Sequence, residues 1–473
     1  MSLATDCRIA ANALEAFAAE AQARHAPVIR QDPMAVLAAR LDLGRLIAEG
    51  GLEGARLHVF LDAYLQASTR LQHPGYMAHQ VAVPHPRAAV AAMVDAFTNN
   101  AMAIYEMGPA AATVEVAVVN WMLGKVGWRP MPMPGAAPPD GPQGGGVLTH
   151  GGSLANLTAL AAARARIAPD AWEEGTPEDL VLLAPAACHY SVARAAGLLG
   201  LGRKAVWEAP ADADGRLDPA RLPAALDGAR QRGKRVMAVV ANACATAAGL
   251  YDPVRAVGEV CREHGVWLHV DGAHGASALV SERHRALLDG VELADSLIWD
   301  AHKMLRAPTL CAAVLVRDRR SLDGAFQEEA SYLFHDKDQP GMDLIHHTVE
   351  CSKGGLGLKV FFALAAEGER GIAAFIDRQT ALATDAARLL RAAPGFEVAV
   401  EPQSNIVCFR VAGPDGLQLD LRRRLTEAGR HYVSSTEFRG RRWLRLALMN
   451  PATDLSDIAA LIEEIGRLLP APD

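Results

Sequence analysis

The sequence predicts an α/β protein: a mostly parallel sheet with helices on both faces, followed by a small C-terminal α/β domain. Three observations lead there. Between residues 146 and 316, short apolar and β-branched runs alternate with helix-length amphipathic stretches, the rhythm of repeated strand–helix units. Two of those runs, 266–270 and 296–299, end in polar side chains: Asp271 after the first, and Asp300, His302 and Lys303 after the second. Ligands of open α/β sheets bind beyond the carboxyl ends of strands, where such side chains emerge. A second, shorter alternation of strand and helix patterns starts near residue 396.

Composition bounds the partners and the compartment. The 473 residues suffice for two or three domains with a sizeable core. With 47 basic and 54 acidic residues, the net charge of −7 argues against a nucleic-acid partner. Seven cysteines are scattered without a CxxC pair, which fits reduced thiols in a cytoplasmic protein. No basic stretch followed by an apolar segment opens the chain, so no secretory leader is expected. No apolar run approaches the ~20 residues a membrane-spanning helix needs.

Taken in order, residues 1–85 form a helical arm in which Leu14, Phe17 and Ala18, and more loosely Leu37, Leu41 and Leu46, follow helical spacing. The arm is too thin to bury its own apolar face and packs either on a partner subunit or on its own chain. Residues 71–86, LQHPGYMAHQVAVPHP, read as a polar loop suited to lining a site. A catalytic domain is expected over 86–353. It opens with helix over 88–127, and the Pro/Gly-rich run 129–146 then breaks all periodicity. A strand at 147–149 leads into His150, Gly151, Gly152 and Ser153 and a helix over about 154–168. Small residues at such a helix start let backbone N–H groups approach an anion.

A strand at 180–183 precedes His189, and one at 235–241 precedes the small residues 242–249. Asp252 reads as the cap of a helix beginning at Pro253, with Val254, Val257, Val260 and Cys261 on its buried face. Residues 331–341, SYLFHDKDQPG, read as a mobile surface loop. The C-terminal domain, 354–473, is expected to hold strands at 396–400, 405–411 and 443–447 and a helix over 455–469.

Four strand-end features converge: Gly152–Ser153, His189, Asp271 and Lys303. Singly, each has an ordinary explanation as a tight turn, a packed imidazole, a cap or a surface amine. His269, Asp271 and His274 also admit a metal reading, but no further ligand follows at a fixed spacing, so no metal is expected. Together the four match the needs of pyridoxal 5'-phosphate. Its phosphate suits a helix N-terminus, and an imidazole stacks on its ring. A carboxylate pairs with the ring nitrogen, and a lysine forms the Schiff base.

HPGYMAHQ at 73–80, His-Val-Asp at 269–271, His-Lys at 302–303 and LRLALMNPATDLSDIAALIEEI at 444–465 carry a resemblance. From His73 to the C-terminus the chain resembles the group II pyridoxal-phosphate-dependent amino-acid decarboxylases, which act on glutamate, cysteine sulfinate, diaminobutyrate or aromatic amino acids. The resemblance implies the fold type I (aspartate-aminotransferase-like) architecture, a homodimer with sites at the subunit interface, and release of CO2 from a small-molecule L-amino-acid substrate to give an amine. It further implies that Lys303 carries the cofactor, Asp271 holds the ring nitrogen and His189 stacks on the ring. Gly152 and Ser153 hold the phosphate, Thr246 lies beside the cofactor and His302 flanks the lysine. Tyr332 protonates the substrate's α-carbon, while Arg445 and Gln80 meet the substrate.

Two positions depart from the common pattern. Asp300-Ala301 replaces Asn-Pro before His302-Lys303, and Ser352-Lys353 stands where the glutamate branch has Gly-Arg. Gln80 and the Tyr332-Leu333-Phe334 stretch lean toward an acidic substrate (glutamate, aspartate or cysteine sulfinate). Asp300 and Ser352-Lys353 lean away from it, which leaves diaminobutyrate as the second reading, with an aromatic substrate, a fold-type-I transaminase or lyase, and a cofactor-binding protein without turnover as further alternatives.

Overall fold

The computed structural model describes residues 2–133, 141–326 and 341–469. Tyr332 and the polar stretch around it lie outside the described residues. The chain divides into two compact units, one of Pro84–Arg378 and one of Met1–Val83 with Gln379–Asp473. The sequence reading places its boundaries after residues 85 and 353. The compact units change over after 83 and 378, and the N-terminal helices group with the C-terminal sheet.

The larger unit is built on seven strands: β1 (Gly145–Thr149), β2 (Leu180–Ala184), β3 (Val206–Glu208), β4 (Arg235–Asn242), β5 (Trp267–Asp271), β6 (Ser296–Asp300) and β7 (Ala312–Val316). Their spatial order is β1-β7-β6-β5-β4-β2-β3. Strands β3, β2, β4, β5 and β6 run parallel, and β7 alone is reversed, antiparallel to β6 and β1. Strands covered on both faces read as continuous apolar runs, which is why LVLLA and VMAVVA were legible as buried strands. Val147, Leu182, Val240, Ile298 and Val314 pack on one side against the helices Gly152–Ile167 and Ser191–Leu198. Their neighbours Leu148, Leu183, Val239, Leu297 and Leu315 are equally buried and point the other way. The helices Pro109–Val126, Leu222–Gln231 and Val254–His264 pack on β1, β4 and β5 outside that first cluster.

One local expectation changes. The helix Val254–His264 starts without a side-chain cap. Asp252 instead turns inward, where its carboxylate accepts the Asn242 N–H at 2.6 Å and the Leu217 N–H at 2.9 Å. Burial pushes its pKa up to about 6.

The smaller unit carries an antiparallel sheet of β8 (Phe396–Val398), β9 (Ile406–Val411), β10 (Ser434–Phe438) and β11 (Arg441–Ala447), in the order β10-β11-β9-β8. Val407, Phe409, Leu444 and Leu446 of this sheet pack on Leu421 and Leu425 of one helix and Ile458, Leu461 and Ile465 of another. The second helix, Leu455–Leu468, begins with a reciprocal cap between Asp454 and Asp457. Strand β10 is absent from the sequence reading because SSTEF lacks an apolar alternation. It pairs with β11 across Arg439 (φ 50) and Gly440 (φ 67), the two positive-φ positions of a type I′ hairpin.

The loop at 73–80 is tied to this sheet by backbone bonds from Met77 to Tyr432 (3.0 Å), Tyr432 to Gly75 (2.9 Å) and Ala447 to Met77 (2.7 Å). The N-terminal arm packs on its own chain, with Arg24 Nη2 2.6 Å from Asp457 and the Val28 N–H bonded to Gly429 O at 2.7 Å.

Candidate active site

Parallel pairing brings the chemistry to one edge of the sheet. Strands β5 and β6 are neighbours, so Asp271 and Asp300 leave the sheet at the same carboxyl edge, and the turn after Asp300 carries His302 and Lys303. Strand β2 delivers His189, β4 delivers the loop with Thr246, and β1 delivers Gly151, Gly152 and Ser153. Gly152, Ser153, His189, Thr246, Asp271, His302 and Lys303 line one cavity of about 330 Å³. Its size is that of a small-ligand site.

Asp271 is held from two sides. Its Oδ1 accepts the Ala273 N–H at 3.2 Å and its Oδ2 accepts from Asn156 Nδ2 at 3.0 Å. His189 Nδ1 lies 2.7 Å from Ser191 Oγ. Burial lowers the His189 pKa, against the pull of the nearby Asp271 carboxylate, so the imidazole is neutral near pH 7. Lys303 Nζ sits 3.0 Å from Asp300 Oδ2. His302 Nδ1 is 2.8 Å from the Cys311 carbonyl oxygen, and its Nε2 is 3.7 Å from Asp300 Oδ2. Asp300, the departure noted in the sequence, is therefore a paired carboxylate facing the lysine.

These residues fit pyridoxal 5'-phosphate. The 16-residue helix Gly152–Ile167 begins without a side-chain cap, and the N–H groups of Gly152 and Ser153, which line the cavity, have no intrahelical acceptor. Gly151 adopts φ 103, open to glycine, and a Cβ on Gly152 would stand 2.9 Å from both Asp300 carboxylate oxygens. A cradle for a compact anion, a fixed carboxylate, a neutral flat imidazole and a primary amine thus share one cavity.

Gln80 and Arg445 lie together in the smaller unit. Arg445, on β11, donates from Nη1 to the Ala78 carbonyl at 3.3 Å and so holds the segment that carries Gln80. Gln80 Nε2 is buried and has no hydrogen-bond partner among the described residues. Lys353 is not a surface cation: its Nζ meets Glu115 Oε2 at 2.5 Å, with both side chains 1% exposed. Sequence reasoning missed Asn156 and Ser191, which join Asp271 to His189. The one signal for Asn156 is an amide side chain inside an Ala- and Leu-rich helix, where asparagine is disfavoured.

The profile of the pyridoxal-dependent decarboxylase conserved domain matches residues 66–412. The chain is 30% identical over 422 residues to the acidic amino acid decarboxylase GADL1 of Mus musculus, covering 85% of this chain and 74% of the relative. It is 30% identical over 427 residues to the cysteine sulfinic acid decarboxylase of Homo sapiens, covering 86% and 84%. The crystal structure of mouse CSAD superposes with a TM-score of 0.87 at 26% identity, covering 100% of both chains. With the cavity built on fold type I and the family profile spanning most of the chain, the protein belongs to the pyridoxal-dependent decarboxylases, carboxy-lyases whose cofactor is pyridoxal 5'-phosphate.

Proposed function

We propose that the chain decarboxylates a small acidic L-amino acid, of the class of glutamate, aspartate or cysteine sulfinate, as a cytoplasmic homodimer. The observation that carries the decarboxylase reading is the single cavity shared by Lys303, Asp271, His189 and the Gly152–Ser153 turn. When bound, the cofactor supplies an electron sink for the pair left behind by departing CO2.

Each residue has a task in this reading. Asp271 keeps a ring nitrogen protonated, because a fixed carboxylate stabilises the adjacent positive charge. Neutral His189 stacks without repelling that charge. The N–H groups at Gly152 and Ser153 bind the phosphate, and Thr246 borders the cofactor. Lys303 would provide the amine that holds the cofactor. Asp300 holds that amine in place, and His302, donating from Nδ1 to the Cys311 carbonyl, packs beside it. Tyr332 delivers a proton to the substrate's Cα once CO2 has left. Gln80 and Arg445 hold the substrate's acidic groups.

An acidic substrate is supported by two relatives at 30% identity whose names specify acidic amino acids and cysteine sulfinic acid. The buried, unsatisfied Gln80 Nε2 offers a donor to such a group. The features that leaned away from an acidic substrate carry less weight, since Lys303 engages Asp300 and Glu115 engages Lys353.

Dimerisation is supported by the helix Pro86–Thr98. Val90, Met93, Val94 and Phe97 form one stripe on it, and Phe97 is 71% exposed. All seven cysteines are free thiols, in keeping with a reducing compartment. Among the described residues no helix is long and apolar enough to cross a membrane. The test is CO2 release across an amino-acid panel, with Lys303→Ala as control. Release from an acidic member that vanishes in the control is expected, and no release from any member would end the reading.

A further inference from the structure

Behind the cavity, its carboxylate and its imidazole are joined by a hydrogen-bonded chain in which every donor can be assigned. It begins at Trp267, whose indole N–H only donates and lies 2.8 Å from Ser296 Oγ. Ser296 has one hydrogen left, and His269 Nδ1 is 2.8 Å away. Complete burial keeps His269 neutral at ordinary pH, so with Nδ1 accepting, its proton sits on Nε2. That proton goes to Asn156 Oδ1 at 2.7 Å. The Asn156 amide has one permitted orientation, because its other end faces Asp271 Oδ2 at 3.0 Å and a carboxylate only accepts. Its second Nδ2 hydrogen goes to Ser191 Oγ at 2.8 Å. The Ser191 hydroxyl then gives to His189 Nδ1 at 2.7 Å, and the Ser191 backbone N–H points at the same atom at 3.3 Å. His189 therefore carries its proton on Nε2.

We propose that Asn156 is a positioning residue that sets the Asp271 carboxylate and the His189 tautomer at the same time. The inference rests on the reading that those two groups meet the cofactor. Asn156 is 1% exposed in a helix whose other buried residues are alanines, Leu160 and Thr158. An amide is unfavourable there unless all its groups are satisfied, and this one makes three hydrogen bonds, each to a polar side chain of the chain behind the cavity. A leucine or alanine at this position would serve packing alone. It would leave Asp271 Oδ2 and His269 Nε2 without these partners and release Ser191 from its fixed donor role. The cavity would keep its charges but lose their orientation.

The test uses the full chain and its Asn156→Ala and Asn156→Asp variants, stripped of cofactor and titrated with pyridoxal 5'-phosphate. Asn156→Asp keeps the size and the acceptor toward His269 but replaces both donated hydrogen bonds, so it separates donation from packing. Three quantities are read: the cofactor Kd, the visible circular dichroism of the bound cofactor, and kcat and KM for CO2 release. Loss of a hydrogen bond to a charged group predicts about tenfold to a hundredfold weaker cofactor binding. The dichroic band should change in amplitude or sign, and kcat should fall while KM stays within about threefold. A folded Asn156→Asp protein with the parent's Kd and dichroism would overturn the proposal. Should both variants fail to fold, Ser191→Ala removes the hydroxyl that joins Asn156 to His189 and leaves the Asn156–Asp271 bond in place. It must then alter the dichroic band, and an unchanged band also overturns the proposal. If the parent protein itself neither binds the cofactor nor releases CO2, the reading of the cavity falls and this inference with it. If the parent does both and the variants match it, only the role of Asn156 falls.

Discussion

Replacing Lys353 by methionine separates a structural cation from a substrate contact. Lys353 Nζ and Glu115 Oε2 form a 2.5 Å ion pair with both side chains 1% exposed. Glu115 Oε1 also accepts the Leu148 N–H of β1 at 2.9 Å, and the Lys353 carbonyl accepts the Met102 N–H at 2.7 Å. The pair thus anchors the strand that ends at the Gly151–Gly152 turn. Burial raises the Glu115 pKa, and Lys353 is the main influence opposing it, so the variant's carboxyl should take up a proton. Stranding one member of a buried pair costs about 3–5 kcal/mol. Lys353→Met should show that loss in urea unfolding and a lower thermal midpoint, with KM near the parent value below the transition. The double variant Lys353→Met/Glu115→Gln keeps an acceptor for Leu148 and has no charge to strand, so it should recover to within about 1–2 kcal/mol of the parent. A Lys353→Met protein with parental stability and a raised KM would refute this reasoning and return Lys353 to the substrate.

Other outcomes follow from the same structure and reading. Tyr332→Phe should lower amine formation about a hundredfold through loss of the proton donor, measured against CO2 release; an unchanged amine yield contradicts its role. Buried His73, whose pKa is depressed to about 4, is neutral in the fold and protonates near pH 6.5 when unfolded. Its contribution to stability is present above pH 6.5 and is lost as pH falls through about 4. His73→Asn keeps the acceptor for the Gly75 N–H (2.9 Å) without a titrating group, so its denaturant midpoint should fall less steeply over that window, and an identical slope would contradict the assignment. Phe97→Glu, a charge on the 71% exposed apolar stripe, should shift the protein toward monomer in light scattering, and an unaltered dimer would contradict that interface.

What could be read in advance was local. Strands β2, β4 and β5 are buried on both faces, so their apolar runs stood out, and Asp271 and Lys303 were conspicuous as polar side chains directly after such runs. Strand β3 is three residues long and β10 is polar on most positions, so neither gave a period to detect. Asp252 has the residue type and spacing of a cap, but the buried N–H groups of Asn242 and Leu217 compete for its carboxylate and win. Long-range pairings were out of reach: Glu115 and Lys353 are 238 residues apart, and Tyr76 bridges to Tyr432. Asn156 was hidden for the same reason, because its partners His269, Ser191 and Asp271 come from other elements of the chain.

The most direct test of the central claim is hydride reduction of the cofactor-loaded protein followed by peptide mass mapping. Reduction should fix a cofactor-derived mass to the peptide containing Lys303 and nowhere else, and Lys303→Ala should lose the label. Labelling of another lysine, or an unlabelled Lys303 in protein that still releases CO2, would contradict the account.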